Sequence, residues 1–148
     1  MRIVLDTNVL IDGLRDEYSY QKRIIDEVIA GNIEAFANKQ TLQENRLLMR
    51  QLVDNPEYEK DIENFFGQIN YVVNRHHVHV VRDDEDNKIL ESAVEAQADY
   101  LVTSDNDLLR LGTYRDIRIV NPSEFWVTYQ DEEGNDLWKQ WAGFISNK

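Results

Sequence analysis

Short aliphatic runs alternate along this chain with stretches whose apolar side chains return every three or four positions. Ile3, Val4 and Leu5 form an unbroken run, so Arg2–Leu5 reads as a buried strand. Asp6-Thr7-Asn8 follows and can cap a short helix through Val9–Ile11, which Gly13 is expected to break. Tyr20, Ile24, Ile25, Val28 and Ile29 have helical spacing and predict a helix from about Tyr18 to Ala30, stopped by Gly31-Asn32. Ile33–Ala37 is short and β-capable. Thr41–Val53 reads as a helix ending at the Asn55-Pro56 boundary, because the residue before proline is driven out of helical conformation. A further helix is expected from Glu57 to about Phe66, with Phe65, Phe66 and Ile69 turned inward.

His77-Val78-His79-Val80-Val81 alternates polar and apolar residues and predicts a strand. Asp86–Ala98 has a helical stripe of Ile89, Leu90, Ala93, Val94 and Ala96. Tyr100–Thr103 reads as a strand, Asp105–Leu111 as a short helix with Gly112 beyond it, and Arg118–Val120 as a last strand before Asn121-Pro122. Strands alternating with helices imply parallel βαβ units with right-handed crossovers, an α/β fold. With 148 residues and no repeat or low-complexity linker, one domain is expected.

Composition narrows the chemistry. There is no cysteine, which removes disulfides, thiolate metal sites and cysteine nucleophiles. No stretch approaches the ~20 apolar residues of a membrane span, and Asp6 and Asn8 interrupt the first apolar run, so no signal peptide is read there. A cytoplasmic protein without membrane contact is expected. The net charge is −12, of which residues 83–148 carry −9. Such a surface opposes tight, non-specific binding of phosphate backbones. It leaves open a site where bound cations supply the positive charge, a substrate path confined to one patch, a basic partner, or a merely solvated surface.

Four acids stand where strands hand over to helices or on helical faces. Asp6 directly follows the first strand and is either an N-cap or a site residue. Glu44 has Thr41 at i−3, Leu47 at i+3 and Leu48 at i+4, an apolar face that would turn it inward unless rotation leaves it at the rim. Asp86 precedes Ile89 and Leu90, which set its face toward the core, although Asp83, Asp84 and Glu85 crowd the same turn. Asp105 follows Leu101-Val102-Thr103-Ser104, with Asp107 two residues on, and is a cap or a site residue. In an open α/β sheet the strand ends meet at one edge, where all four could converge. Gathered carboxylates raise each other's pKa unless a hard divalent cation neutralises them.

Other constellations are weaker. His76, His77 and His79 lack the further ligands that a zinc site needs, and read as surface or partly buried histidines. No glycine-rich phosphate loop occurs, and Asn8 replaces the second acid of a dehalogenase-type Asp-x-Asp pair. No Ser-His-Asp arrangement is indicated. Asp131–Asp136 reads as an acidic turn, followed by Trp138, Trp141 and Ile145 at helical spacing with Phe144 beside them. That stripe would dock on a partner or a second copy, or close the domain's own core.

VLDTNVL, TLQENRLLMRQL and DDEDNKILESAVEAQADYLVTSDNDLL occur in this order. Together they resemble the PIN-domain family, metal-dependent ribonucleases common among the toxins of bacterial and archaeal toxin–antitoxin pairs. The resemblance covers roughly residues 1–125. It implies a three-layer α/β/α sandwich around a central parallel sheet. It also implies Asp6, Glu44, Asp86 and Asp105 as catalytic and metal-binding acids for Mg²⁺ or Mn²⁺, and Thr7, Asn8, Thr103 and Asp107 as supporting positions. The implied reaction is hydrolysis of RNA phosphodiester bonds leaving a 5′-phosphate, with an antitoxin as partner. The reading is a nuclease domain over residues 1–126 and an aromatic, acidic extension over 127–148 that packs on the domain or on a partner. A homodimer is expected from the aromatic stripe. The rival is a PIN-fold protein-binding module with weak or lost catalysis.

Overall fold

The computed structural model describes residues 1–52 and 56–146, and the side chains of all these except 135–140 and 144–146. Six strands form one sheet: β1 (Arg2–Leu5), β2 (Glu34–Asn38), β3 (Asn70–Val72), β4 (Tyr100–Val102), β5 (Thr113–Tyr114) and β6 (Ile117–Val120). Their order is β3-β2-β1-β4-β6-β5. Every pairing is parallel except that of β5 with β6. The helices are α1 (Thr7–Arg15), α2 (Tyr20–Ile29), α3 (Lys39–Leu52), α4 (Pro56–Gln68), α5 (Asp84–Glu95), α6 (Asn106–Leu109) and α7 (Pro122–Ser146).

The strand pleat builds two cores from single residue steps. On β1, Ile3 packs with α1, α2, α4 and α7 residues, whereas Val4 packs on the opposite face with α5 and α6 residues. β4 repeats the division, sending Tyr100 and Val102 to the first face and Leu101 to the second. Strands buried on both faces must be apolar throughout, which is why they appear in the sequence as unbroken runs. The α/β fold expected from the alternation of elements, and the α/β/α sandwich that the family resemblance implies, are the fold of this chain.

Several local expectations need correction. Gly13 lies inside α1 rather than ending it. A Cβ there would meet Ile25 Cδ1 at 2.5 Å and the Gln21 backbone at 3.0 Å, so this glycine serves the close approach of α1 and α2. His77–Val81 is no strand. It is an irregular strap, and side chains of α5 replace the sheet ladder. Asn87 Oδ1 accepts from the amides of Val80 (3.1 Å) and Val81 (3.2 Å), while its Nδ2 donates to the Val81 carbonyl. Glu91 accepts from the Val78 amide at 2.9 Å. β3 is invisible in the sequence because a three-residue strand is too short to show periodicity, and β5 for the same reason.

The acidic turn expected at 131–136 is helix, since α7 runs unbroken through it. The division expected between residues 126 and 127 therefore falls inside α7. Beyond that point Tyr129 is still buried, stacked on Phe125, and it hydrogen-bonds to Glu27 of α2. Of the aromatic stripe, the Trp138, Phe144 and Ile145 side chains lie outside the described residues, and Trp141 is half exposed.

Candidate metal-binding acidic site

Strand order reverses between β1 and β4, since the chain runs outward from β1 to β2 and β3 and then returns to place β4 on the other side. At such a switch point the loops leave in opposite directions and open a crevice at the C-terminal strand ends. Asp6 and Thr103 are the residues that follow β1 and β4 there, one step beyond the Leu5↔Val102 pair. Both are buried, and Thr103 Oγ1 donates to Asp6 Oδ2 at 2.7 Å. The same hydroxyl accepts from the Asp105 amide at 3.0 Å. One threonine thus connects two of the candidate acids.

Hydrogen bonding shows which of these acids cap their helices. Asp6 occupies the N-cap position of α1 with extended backbone, yet its carboxylate makes no capping bond and is held by Thr103 instead. At α5 the cap is Asp83, which accepts from the Glu85 and Asp86 amides and leaves the Asp86 carboxylate uncommitted. Asp105 serves both ends: Oδ1 caps α6 through the Asp107 (2.8 Å) and Leu108 (3.1 Å) amides, which fixes the carboxylate in place.

The charges feel one another. Burial pushes the Asp86 carboxyl up, and the negative charges of Asp105, Asp83, Asp6 and Asp107 add to it, bringing its pKa to about 6. Asp6 is also raised, chiefly by burial and further by Asp105, while the Thr103 hydrogen bond and the nearby Asn8 and Thr7 amides pull it back. Asp6, Asp86 and Asp105 therefore share one electrostatic site, with Asp107 at its edge, exposed and paired with Arg110 at 3.2 Å.

Glu44 does not join them. It is exposed on α3, with its helical neighbours Leu47 and Leu48 exposed too, so the expected inward face is a solvent face in this chain. α3 buries only Met49, because it packs at the edge of the sheet beside β2 and β3 rather than over its centre. Glu44 lies in the adjoining cleft, near Lys88. Among the described residues no three ligating side chains stand together as a metal cluster.

A model of the PIN domain matches residues 2–107. This chain belongs to the PIN-domain family. An uncharacterized protein of Methanocaldococcus jannaschii, MJ1680, is 26% identical over 117 residues, spanning 75% of each chain. Among solved structures, VapBC2 from Rickettsia felis, bound to a DNA fragment from their promoter, contains a chain that superimposes with a TM-score of 0.57. That match has 14% identity and covers 82% of this chain and 98% of the other. At that identity the likeness concerns the fold.

The PIN-domain site also has residues that sequence reasoning missed. Asn45, one position after Glu44, accepts from Thr7 Oγ1 at 3.2 Å and so ties α3 to the start of α1 beside Asp6. Asn87 and Glu91, both buried, hold the strap that leads into the acidic end of α5. A polar residue on the stripe side of a helix was the available signal. Asn8 is exposed.

Proposed function

We propose that this PIN-domain chain is a Mg²⁺- or Mn²⁺-dependent endoribonuclease, the toxin component of a toxin–antitoxin pair. Members of the family are generally nucleases. The observation that carries the reading is that Asp6 and Asp105 are linked through Thr103 at the switch point, with Asp86 near enough to feel both charges.

The donor set suits the metal. All candidate ligands are carboxylate oxygens, the donors of hard divalent ions, and Mg²⁺ commonly takes one or two of them and completes its shell with water and phosphate. A closed three-ligand cluster is therefore not required. One or two of Asp6, Asp86 and Asp105 would bind the ion directly and the others through its water, with Glu44 contributing from the neighbouring cleft. When bound, the ion supplies a water of lowered pKa and stabilises charge on the phosphate oxygens. Thr103 holds Asp6 through Oδ2. Capping of α6 fixes Asp105 through Oδ1. Thr7 and Asn45 set the spacing of α1 and α3. Asp86 is the carboxyl most ready to hold a proton near neutral pH.

The rival reading, a protein-association module, has an observation of its own. Leu47, Leu48 and Leu52 are exposed on α3, Leu47 at 62%. An antitoxin covering this stripe would bury apolar surface next to Glu44, which reconciles partner binding with enzyme activity. No helix among the described residues is long and apolar enough to cross a membrane.

The test is cleavage of a panel of single-stranded RNAs with Mg²⁺ or Mn²⁺, with EDTA and Asp105→Asn as controls. Asparagine retains the N-cap, so loss of activity in this variant reports the charge. Cutting abolished by both controls is the expected result. Metal-independent cutting, or a fully active Asp105→Asn protein, would defeat the reading.

A further inference from the structure

Two clefts next to the acidic site carry as many lysines and arginines as carboxylates, on a chain that is otherwise strongly acidic. The first, about 450 Å³, is lined by Lys39, Lys88 and His77 together with Glu44, Glu85 and Glu91. The second, about 570 Å³, is lined by Arg82, Arg110 and His79 together with Asp107. The first cleft reaches the acid site through Glu85, next to Asp86, and through Glu44, whose neighbour Asn45 accepts from Thr7 beside Asp6; the second reaches it through Asp107, whose charge acts on Asp86. Of 16 lysines and arginines in the sequence, 4 line these two clefts.

We infer that the two clefts form one track for a single-stranded RNA, whose phosphates on either side of the bond at the acid site are taken by Lys39 and Lys88 and by Arg82 and Arg110. The inference rests on the nuclease reading for the kind of polymer. A chain of net charge −12 cannot hold a polyanion by its general surface. Flanking phosphates must therefore meet local cations, and the clefts are where such cations adjoin the site. These cations are free to change partner. Lys88 pairs with Glu85 and Arg110 with Asp107, all exposed, and exposed pairs contribute little. Arg82 is exposed and makes no ion pair among the described residues. Glu91 is already spent on the Val78 amide.

The single strand is favoured by Tyr71. This residue borders the first cleft next to Val72 and is 61% exposed, with Lys39 Nζ over one face of its ring, 5.5 Å from the centroid. A cation over an exposed aromatic ring brings together the phosphate and stacking contacts used for unpaired nucleotides. Base-paired RNA presents no free base face to such a ring.

The experiment measures binding without catalysis: fluorescence anisotropy of a labelled single-stranded RNA 12-mer on the full chain in EDTA, over a salt series. Lys39→Gln/Lys88→Gln and Arg82→Gln/Arg110→Gln test the clefts, and Arg23→Gln/Lys60→Gln, outside both, serves as control. Each cleft pair is expected to weaken binding roughly three- to tenfold. The slope of log affinity against log salt should flatten by about 0.7 for each phosphate that is no longer neutralised. The control pair should match wild type. All the substituted side chains are exposed, and circular dichroism checks that the variants fold. Cleft variants that bind like wild type, or a wild type without salt-dependent binding, would overturn the track. So would displacement of the RNA by poly-glutamate at equal charge concentration, since the surface would then fit an acidic protein segment. Intact cleavage with cleft variants that bind normally refutes the track alone. Cleft-dependent binding with no cleavage under any metal refutes the nuclease alone.

Discussion

At Asp86 the fold keeps a carboxyl uncomfortable. Its pKa of about 6 lies above the ordinary 3.8, so the native state disfavours the charged form. The consequence for stability has a definite sign. Below pH 3.8 both folded and unfolded states are protonated there and the group is neutral to stability. As pH rises toward 6 the unfolded chain releases its proton first, and above about 6 the full destabilisation is present. Asp86→Asn should therefore raise the melting temperature of metal-free protein at pH 7.5, with the gain vanishing below pH 4. Calorimetry in EDTA at both pH values checks this; an equal gain at both would mean the effect is not ionisation. Thr103→Val probes support rather than charge. Losing the hydroxyl that holds Asp6 should lower metal affinity or cleavage by roughly 10–100-fold, read by Mn²⁺ titration and by rate.

Gly13 poses the same kind of question at the level of elements, because α1 would gain helix propensity from alanine by about 1 kcal/mol. The Cβ, however, would press on Ile25, which has no exposed surface, and on the Gln21 backbone. Overpacking of this kind costs about 1–3 kcal/mol, so Gly13→Ala should be destabilising in urea melts. A stabilised variant would show that the two helices can separate freely. The strap over α5 gives a second test. Asn87→Ala strands the Val80 and Val81 amides and should cost about 2 kcal/mol. Hydrogen exchange should then speed up at those two amides ahead of the β4 amides. Uniform exchange across both would mean that the strap does not open independently.

For the whole molecule, an ion that binds only the folded state must stabilise it by mass action, about 2.7 kcal/mol at a hundred times Kd. Mn²⁺ should raise the melting temperature of the wild type and fail to raise that of Asp6→Asn. No shift in the wild type would remove the metal from the proposal. Assembly is separable from chemistry. If the exposed leucines of α3 receive a partner, Leu47→Glu/Leu48→Glu should abolish complex formation in light scattering with a co-expressed antitoxin while leaving RNA cleavage intact.

By itself the sequence determined the α/β class, the positions of β1, β4 and β6, and the turn on which each of Asp6, Asp86 and Asp105 sits. A strand buried on both faces must be a continuous apolar run, and a polar residue ending that run is visible without any fold. Tertiary structure alone decided the rest. His77–Val81 alternates like a strand, but its backbone partners are Asn87 and Glu91 of α5, so composition could not reveal that the ladder was absent. The apolar neighbours of Glu44 pointed inward by pattern, yet α3 lies at the sheet edge, where nothing among the described residues covers that face. Periodicity shows that a helix has an apolar stripe. It does not say whether the surface that buries it belongs to the same molecule. A capping and a non-capping acid are likewise indistinguishable as residue types, and only the hydrogen bonds of Asp83 and Thr103 tell them apart.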